Sequence, residues 1–247
     1  MLLAIDVGNT RIKTAVFEEN TLLTIVIFEK KDLSYQINLI LKKFPLIKIF
    51  IISNVGKVEI NDFTKFENKV EVYFITKDSK FPFHNLYSTP ATLGIDRMVL
   101  ASGAVIQYPN QNRLVIDAGT CITYDFIDEN NNYFGGAISP GIHLRYESLH
   151  NYTAKLPLLL KTNPKKIIGQ STNESIHSGI INGIAFEIDG FINSLKKQNA
   201  NFIIILTGGD AEFLAMRLKN TIFAIPNFLI ESLNQIYQYN KKWLKKL

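Results

Sequence analysis

An acidic residue closes an apolar run in LLAIDVGNTRIK, residues 2–13, and Gly8, Asn9 and Thr10 follow at once. Glycine permits close backbone approach to a ligand, asparagine and threonine offer short hydrogen-bonding groups, and Asp6 could orient a hydrated divalent cation. A turn with that content can cradle a phosphate. The same residues also fit an ordinary asparagine-containing hairpin with a solvated aspartate. The pattern returns in RLVIDAGTCITYDF, residues 113–126: an apolar strand, then Asp117, Gly119 and Thr120, then an alternating strand. The second copy is one residue shorter, because Thr10 lies four residues after Asp6 and Thr120 three after Asp117. A structural duplication is the simplest account, with a nucleotide polyphosphate gripped from both sides of a cleft.

The elements that must hold these turns are readable from periodicity. Residues 2–5 read as an interior strand, 11–17 as its antiparallel partner and TLLTIVIF, 21–28, as a third strand. Ile37, Ile40, Leu41 and Phe44 recur at helical spacing, and LIKIFIIS (46–53) and VEVYFI (70–75) read as further strands with a helix between them. Thr89 as N-cap and Pro90 at the first helical position predict a long helix through Met98, Val99 and Val105 that ends near Pro109. The polar run YPNQNR, 108–113, then divides the chain into halves 1–110 and 111–247. After a strand through Phe134, the residues Gly135, Gly136, Pro140 and Gly141 read as turns. A helix from about Glu174 to Lys197, the strand FIIILTGG, a helix from Ala211, a short strand near 222–225 and a last helix complete the second half.

Composition narrows the classes. The 247 residues suit one large domain or two small ones, and 47% hydrophobic content supports ordered structure. No apolar run is long enough for a bilayer, and the chain passes from Met1 into its first strand without a basic region or cleavage site, so a soluble cytoplasmic protein is expected. Cys121 alone excludes an intramolecular disulfide and a cysteine-based zinc site, and its small thiol reads as packing. His84, His143, His150 and His177 are dispersed without metal-ligand spacing. A net charge of +5 suits anionic small molecules, while the absence of a basic stripe interleaved with aromatics argues against nucleic acid. Part of the excess lies in the final KKWLKKL, read as a solvated helix end with Trp243 and Leu244 packed on the body.

Five motifs in one order resemble a known family: DVGNT at 6–10, LGIDR at 93–97, DAGTCITYD at 117–125, GGAISPG at 135–141 and TGG at 207–209. Over nearly its whole length the chain resembles the type III pantothenate kinases, members of the actin, sugar-kinase and heat-shock-chaperone ATPase superfamily. The resemblance implies an α/β fold of two ribonuclease-H-like halves, a duplicated actin-like ATPase fold, with a nucleotide cleft between them. It implies ATP-dependent phosphorylation of pantothenate to 4'-phosphopantothenate, the first step toward coenzyme A. By analogy the ATP phosphates lie over Asp6, Val7, Gly8, Asn9, Thr10, Arg11, Ile12 and Lys13, with Thr120 reaching them from the second hairpin and Gly208 and Gly209 against the adenosine. Asp6 would help hold Mg²⁺ through water, and Asp117 resembles the family's ligand for a monovalent cation, potassium or ammonium. Tyr87, Gly94, Ile95, Asp96, Arg97 and Thr172 match the pantothenate contacts, with Asp96 as the catalytic base. The Arg97 fork suits either a substrate carboxylate or a transferring phosphoryl oxygen. A homodimer is expected, with the substrate pocket beside its interface.

No Gly-x-x-x-x-Gly-Lys-Ser/Thr run opens a helix, which disfavours a P-loop kinase. Taken alone, Asp96 and Arg97 read as a surface ion pair, and GGAISPG could serve chain reversal only. Cys121 departs from the alanine frequent at its position in the family. A related small-molecule or sugar kinase of the same fold and a catalytically silent regulatory relative are the alternatives; Asp6, Asp96, Arg97 and Asp117 together argue against silence.

Overall fold

Strand β1 (Leu2–Val7) pairs antiparallel with β2 (Ile12–Glu18), which pairs antiparallel with β3 (Thr21–Phe28). After helix α1 (Leu33–Lys43), strand β4 (Ile49–Asn54) returns parallel to β1. The short helix α2 (Asn61–Thr64) leads to β5 (Glu71–Phe74), which completes a sheet of order β3-β2-β1-β4-β5. The computed structural model describes residues 1–56, 58–198 and 202–244, with side chains through 241. It divides into two units: 1–109 with 131–133 and the segment from 227, and 110–130 with 134–226. The boundary after Pro109 falls in the polar YPNQNR run, and the last helix belongs with the first unit.

Alternation along β1 explains the layers of the first unit. Leu3, Ile5 and Val7 pack on Ile37 and Ile40 of α1, while Leu2 and Ala4 face the opposite layer. There they meet Val99 of α3 (Ile95–Gln107) and Ile230, Leu233 and Ile236 of the C-terminal helix (Phe228–Leu244). A strand covered on both faces reads as an uninterrupted apolar run, as residues 2–5 do. Each such side chain contributes roughly 1.5–3 kcal/mol on burial. The two-residue strand β6 (His84–Asn85) pairs with Asn132 and Tyr133.

The second unit repeats the plan. Strand β7 (Asn112–Ala118) pairs antiparallel with β8 (Cys121–Ile127), and β9 (Asn132–Pro140) follows at the far side of β8. Helices α4 (Ile142–Asn151), α5 (Thr172–His177) and α6 (Gly183–Lys196) precede β10 (Phe202–Thr207), which is parallel to β7. Helix α7 (Ala211–Ala215) and β11 (Phe223–Ala224) complete a six-stranded sheet of order β11-β10-β7-β8-β9-β6, whose first five strands match β5-β4-β1-β2-β3 strand for strand. The C-terminal helix is α8.

Four expectations need correction. Thr89 and Pro90 open only a 3₁₀ turn, Pro90–Thr92; Leu93 is extended, with ψ 128°, so the α-helix begins at Ile95 behind Gly94. Gly135 and Gly136 lie inside β9 rather than in a turn, because β9 runs so close to β8 that a Cβ on Gly136 would overlap the Tyr124 carbonyl. The single helix expected from Glu174 starts earlier, at Thr172, where the Ser171 hydroxyl accepts from Glu174 N–H; it is then interrupted by a π turn, Ser178–Asn182. Cys121 is exposed at the mouth of the second hairpin instead of packed. The expected packing of Trp243 and Leu244 lies outside the described side chains.

Candidate active site

The two acidic turns are structural counterparts. In the first, Val7 and Ile12 are the last pair of the ladder and Gly8 N–H donates to Arg11 O at 3.1 Å across four turn residues. In the second, Ala118 pairs with Ile122 and Gly119 N–H donates to Cys121 O at 2.9 Å across three. The missing residue in the sequence alignment is therefore one residue of turn. Asp6 and Asp117 hold the same place, one residue before the closing pair.

Register shows what flanks each carboxylate. Asp6 lies between Lys13 on β2 and Ser53 on β4, and Asp117 between Thr123 on β8 and Thr207 on β10. Cross-strand neighbours project to one face, so Asp6 shares its face with Lys13 and the Ser53 hydroxyl, and Asp117 with the hydroxyls of Thr123 and Thr207. Ser53 Oγ and Thr123 Oγ1 are buried and find no hydrogen-bond partner among the described residues. A buried hydroxyl in that condition calls for an ion or water to complete it. Carboxylate and hydroxyl oxygens are the donor set of hard cations, so these residues fit Mg²⁺ near Asp6 and a potassium-like ion near Asp117.

Within the first unit, Lys30 Nζ donates to Asn9 O at 2.9 Å and holds the tip of the turn. Lys13 faces Glu231 of α8, whose carboxyl is pushed up by burial while the Lys13 charge acts against the rise. Asp96 sits in the first turn of α3, the helix that covers the same sheet face as Leu2, Ala4 and, one step further along β1, Asp6. Its Oδ1 accepts from Arg97 N–H at 2.8 Å. Arg97 is buried, 6% exposed, with its guanidinium 5.6 Å from the centre of the Tyr87 ring. The pair is thus no surface ion pair. Tyr87 N–H donates to Asn85 Oδ1 at 3.0 Å, and its ring lies 6.3 Å from that of Tyr133. Tyr87, Gly94, Ile95, Asp96 and Arg97 therefore form one cluster at the start of α3.

Within the second unit, Gly208 has φ 95° and presses on Asp117: a Cβ there would overlap Asp117 Oδ1 and lie 2.7 Å from the Ala118 carbonyl carbon. Only glycine fits. Gly209 faces open space, and Asp210 N–H ties the diglycine turn to Ala118 O at 3.0 Å. Thr120 lies at the hairpin tip, and its carbonyl accepts from Gly141 N–H at 3.0 Å. Thr172 is the first residue of α5, on a groove shared with Leu149, Leu156, Gln170 and Ser175. Ser53 lies outside every motif, and Thr123 and Thr207 lie inside DAGTCITYD and TGG without a role assigned to them there; all three follow from counting register away from each closing pair, whereas Lys30 carries no local signal.

Two sheets that share one order over five strands, each with an acidic strand running into a tight hairpin turn, define an actin-like and sugar-kinase ATPase fold. Solved structures agree. The glucokinase of an Antarctic psychrotroph superposes with a TM-score of 0.51 at 12% identity, over 96% of this chain and 98% of that one. Component A of the Acidaminococcus fermentans (R)-2-hydroxyglutaryl-CoA dehydratase gives 0.55 at 14%, over 97% and 98%. The sequence profile of the type III pantothenate kinase family matches residues 2–194. The type III pantothenate kinase of Flavobacterium johnsoniae is 62% identical over 239 residues, 97% of this chain and 98% of that one. The chain belongs to the type III pantothenate kinase family.

Proposed function

We infer that the protein transfers the γ-phosphoryl group of ATP to the terminal hydroxyl of pantothenate, giving 4'-phosphopantothenate for coenzyme A. Family membership over nearly the full chain carries the choice of acceptor. The twin acidic hairpins supply the physical basis. Phosphoryl transfer asks for in-line positioning and charge neutralisation more than covalent help. A rigid strand pair holds donors within the tolerance that positioning demands.

In this reading residues 6–13 and Thr120 receive the phosphates, with Lys13 adding positive charge, and Gly208 and Gly209 leave room for adenosine. Asp6 with Ser53 holds Mg²⁺ through water, and Asp117 with Thr123 and Thr207 holds potassium or ammonium. When bound, the two cations offset phosphate charge. Tyr87, Gly94, Ile95, Arg97 and Thr172 bind pantothenate. The Asp96 carboxylate, oriented by the Arg97 N–H, accepts the hydroxyl proton as the oxygen attacks phosphorus. The protein works in the cytoplasm as a homodimer. No helix among the described residues is long and apolar enough to cross a membrane.

ADP release measured with purified protein, ATP and a panel of alcohols tests this reading. Pantothenate should stimulate release far more than any sugar. Stimulation by a sugar alone would replace pantothenate as acceptor, and release indifferent to every alcohol would contradict the kinase reading.

A further inference from the structure

One carboxylate of the second unit gathers groups from three other segments. Glu187 of α6 accepts from the Tyr124 hydroxyl at 2.9 Å, the Ser139 hydroxyl at 2.5 Å and Arg145 Nη2 at 2.5 Å. Burial acts to raise its pKa, but hydrogen bonds from Arg145, Ser139 and Tyr124 outweigh it and hold the carboxyl below its usual value. Arg145 in turn donates Nε to Pro140 O at 2.8 Å. The GGAISPG segment is therefore fixed at Ser139 by Glu187, at Pro140 by Arg145 and at Gly141 by its N–H bond to Thr120 O. Tyr124 belongs to β8, the strand that leaves the same hairpin. The turn 119–121 is thus tied to Glu187 through the strand that leaves it and through the backbone laid against its tip.

Helix geometry shows how Glu187 comes to face this cluster. The π turn Ser178–Asn182 lies just before α6. A π turn inserts one residue into the helix, and without it every later side chain would sit about 100° around the axis. Glu187 would then turn away from Arg145.

We propose that Arg145 and Glu187 are positioning residues for phosphate binding, acting through Pro140 and Gly141 on the Thr120 hairpin. This rests on the reading of Thr120 as a phosphate contact. Backbone displacement of the order of 1 Å at such a contact costs up to about 100-fold in rate. Arg145→Met removes the cation and keeps the stem.

The experiment compares KM for ATP, KM for pantothenate and kcat in Arg145→Met, Arg145→Lys, Glu187→Gln and Thr120→Val, with hydrogen exchange across residues 117–124. Arg145→Met should raise KM for ATP by about tenfold or more while KM for pantothenate moves less than about twofold, and exchange at the hairpin should quicken. Arg145→Lys keeps the charge opposite Glu187 but not the fork that also reaches Pro140 O, so it should recover only part of the loss. Glu187→Gln keeps the shape and the hydroxyl acceptor, and supplies the same comparison if Arg145→Met does not fold. Unchanged KM for ATP and unchanged hairpin exchange in the folded variants, with Thr120→Val impaired, overturn the positioning role and leave the hairpin reading standing. An unimpaired Thr120→Val removes the phosphate role of that residue, and the proposal falls with it.

Discussion

Replacing Gly208 by alanine asks how far the diglycine turn depends on missing side chains. Its φ of 95° lies where residues with a Cβ are strained, at a cost of about 1–3 kcal/mol. The added methyl would also overlap Asp117 Oδ1 and sit 2.7 Å from the Ala118 carbonyl carbon, backbone of a central strand that cannot move aside cheaply. Overpacking of that kind costs about 1–3 kcal/mol. The two effects together give about 2–6 kcal/mol, a large part of the roughly 5–15 kcal/mol that holds a domain folded. Gly209→Ala is the internal control, because nothing lies within 4 Å of its Cβ, so stability should stay within about 0.5 kcal/mol. Urea unfolding of the two variants measures the difference. If adenosine uses the space at Gly209, its alanine variant keeps its stability and loses ATP affinity. Equal unfolding midpoints for the two variants would refute the steric argument.

Three further outcomes are expected. Activity should rise when potassium or ammonium replaces a bulky organic cation and should lose that dependence in Asp117→Asn; equal rates in all salts count against the cation role. Sedimentation should give a species of twice the 28.0 kDa chain mass, and a 28.0 kDa species alone at working concentration contradicts the dimer. Glu187 has its pKa depressed in the folded state, so its stabilisation is present above its unfolded value near 4.5 and is lost as pH falls through the lower folded value. Glu187→Gln should flatten that acid limb of the stability profile, and an unchanged limb places the acid sensitivity elsewhere.

Much of this was legible in residue order. Leu2 to Ile5 announced a strand buried on both faces, and the two acidic turns, including the one-residue difference between them, could be aligned by eye. The signals that failed were local ones overruled by tertiary geometry. Thr89 and Pro90 are good helix openers, yet Leu93 and Gly94 stay extended and α3 starts only at Ile95. Helix α4 gave little periodicity because only Ile142 and Tyr146 are buried along it. The extra residue of the π turn leaves no compositional mark, and with it the meeting of Glu187 and Arg145, 42 residues apart, was hidden. Cys121 looked like a packing residue because its type is often buried, whereas its place is set by the mouth of the turn.

Proton acceptance at Asp96 is the chemical step on which the proposed function turns, and a single substitution isolates it. Asp96→Asn keeps an oxygen able to accept from the Arg97 N–H, so the local geometry survives while the proton acceptor is lost. General-base assistance is worth about 10²- to 10⁴-fold, or roughly 3–5 kcal/mol of barrier. The measurement is kcat for pantothenate phosphorylation by the variant, with ATP affinity determined on the same preparation. A fall in kcat of that size with ATP affinity unchanged is the predicted result. Turnover near the wild-type rate would contradict it and reduce Asp96 to a residue that only positions the substrate.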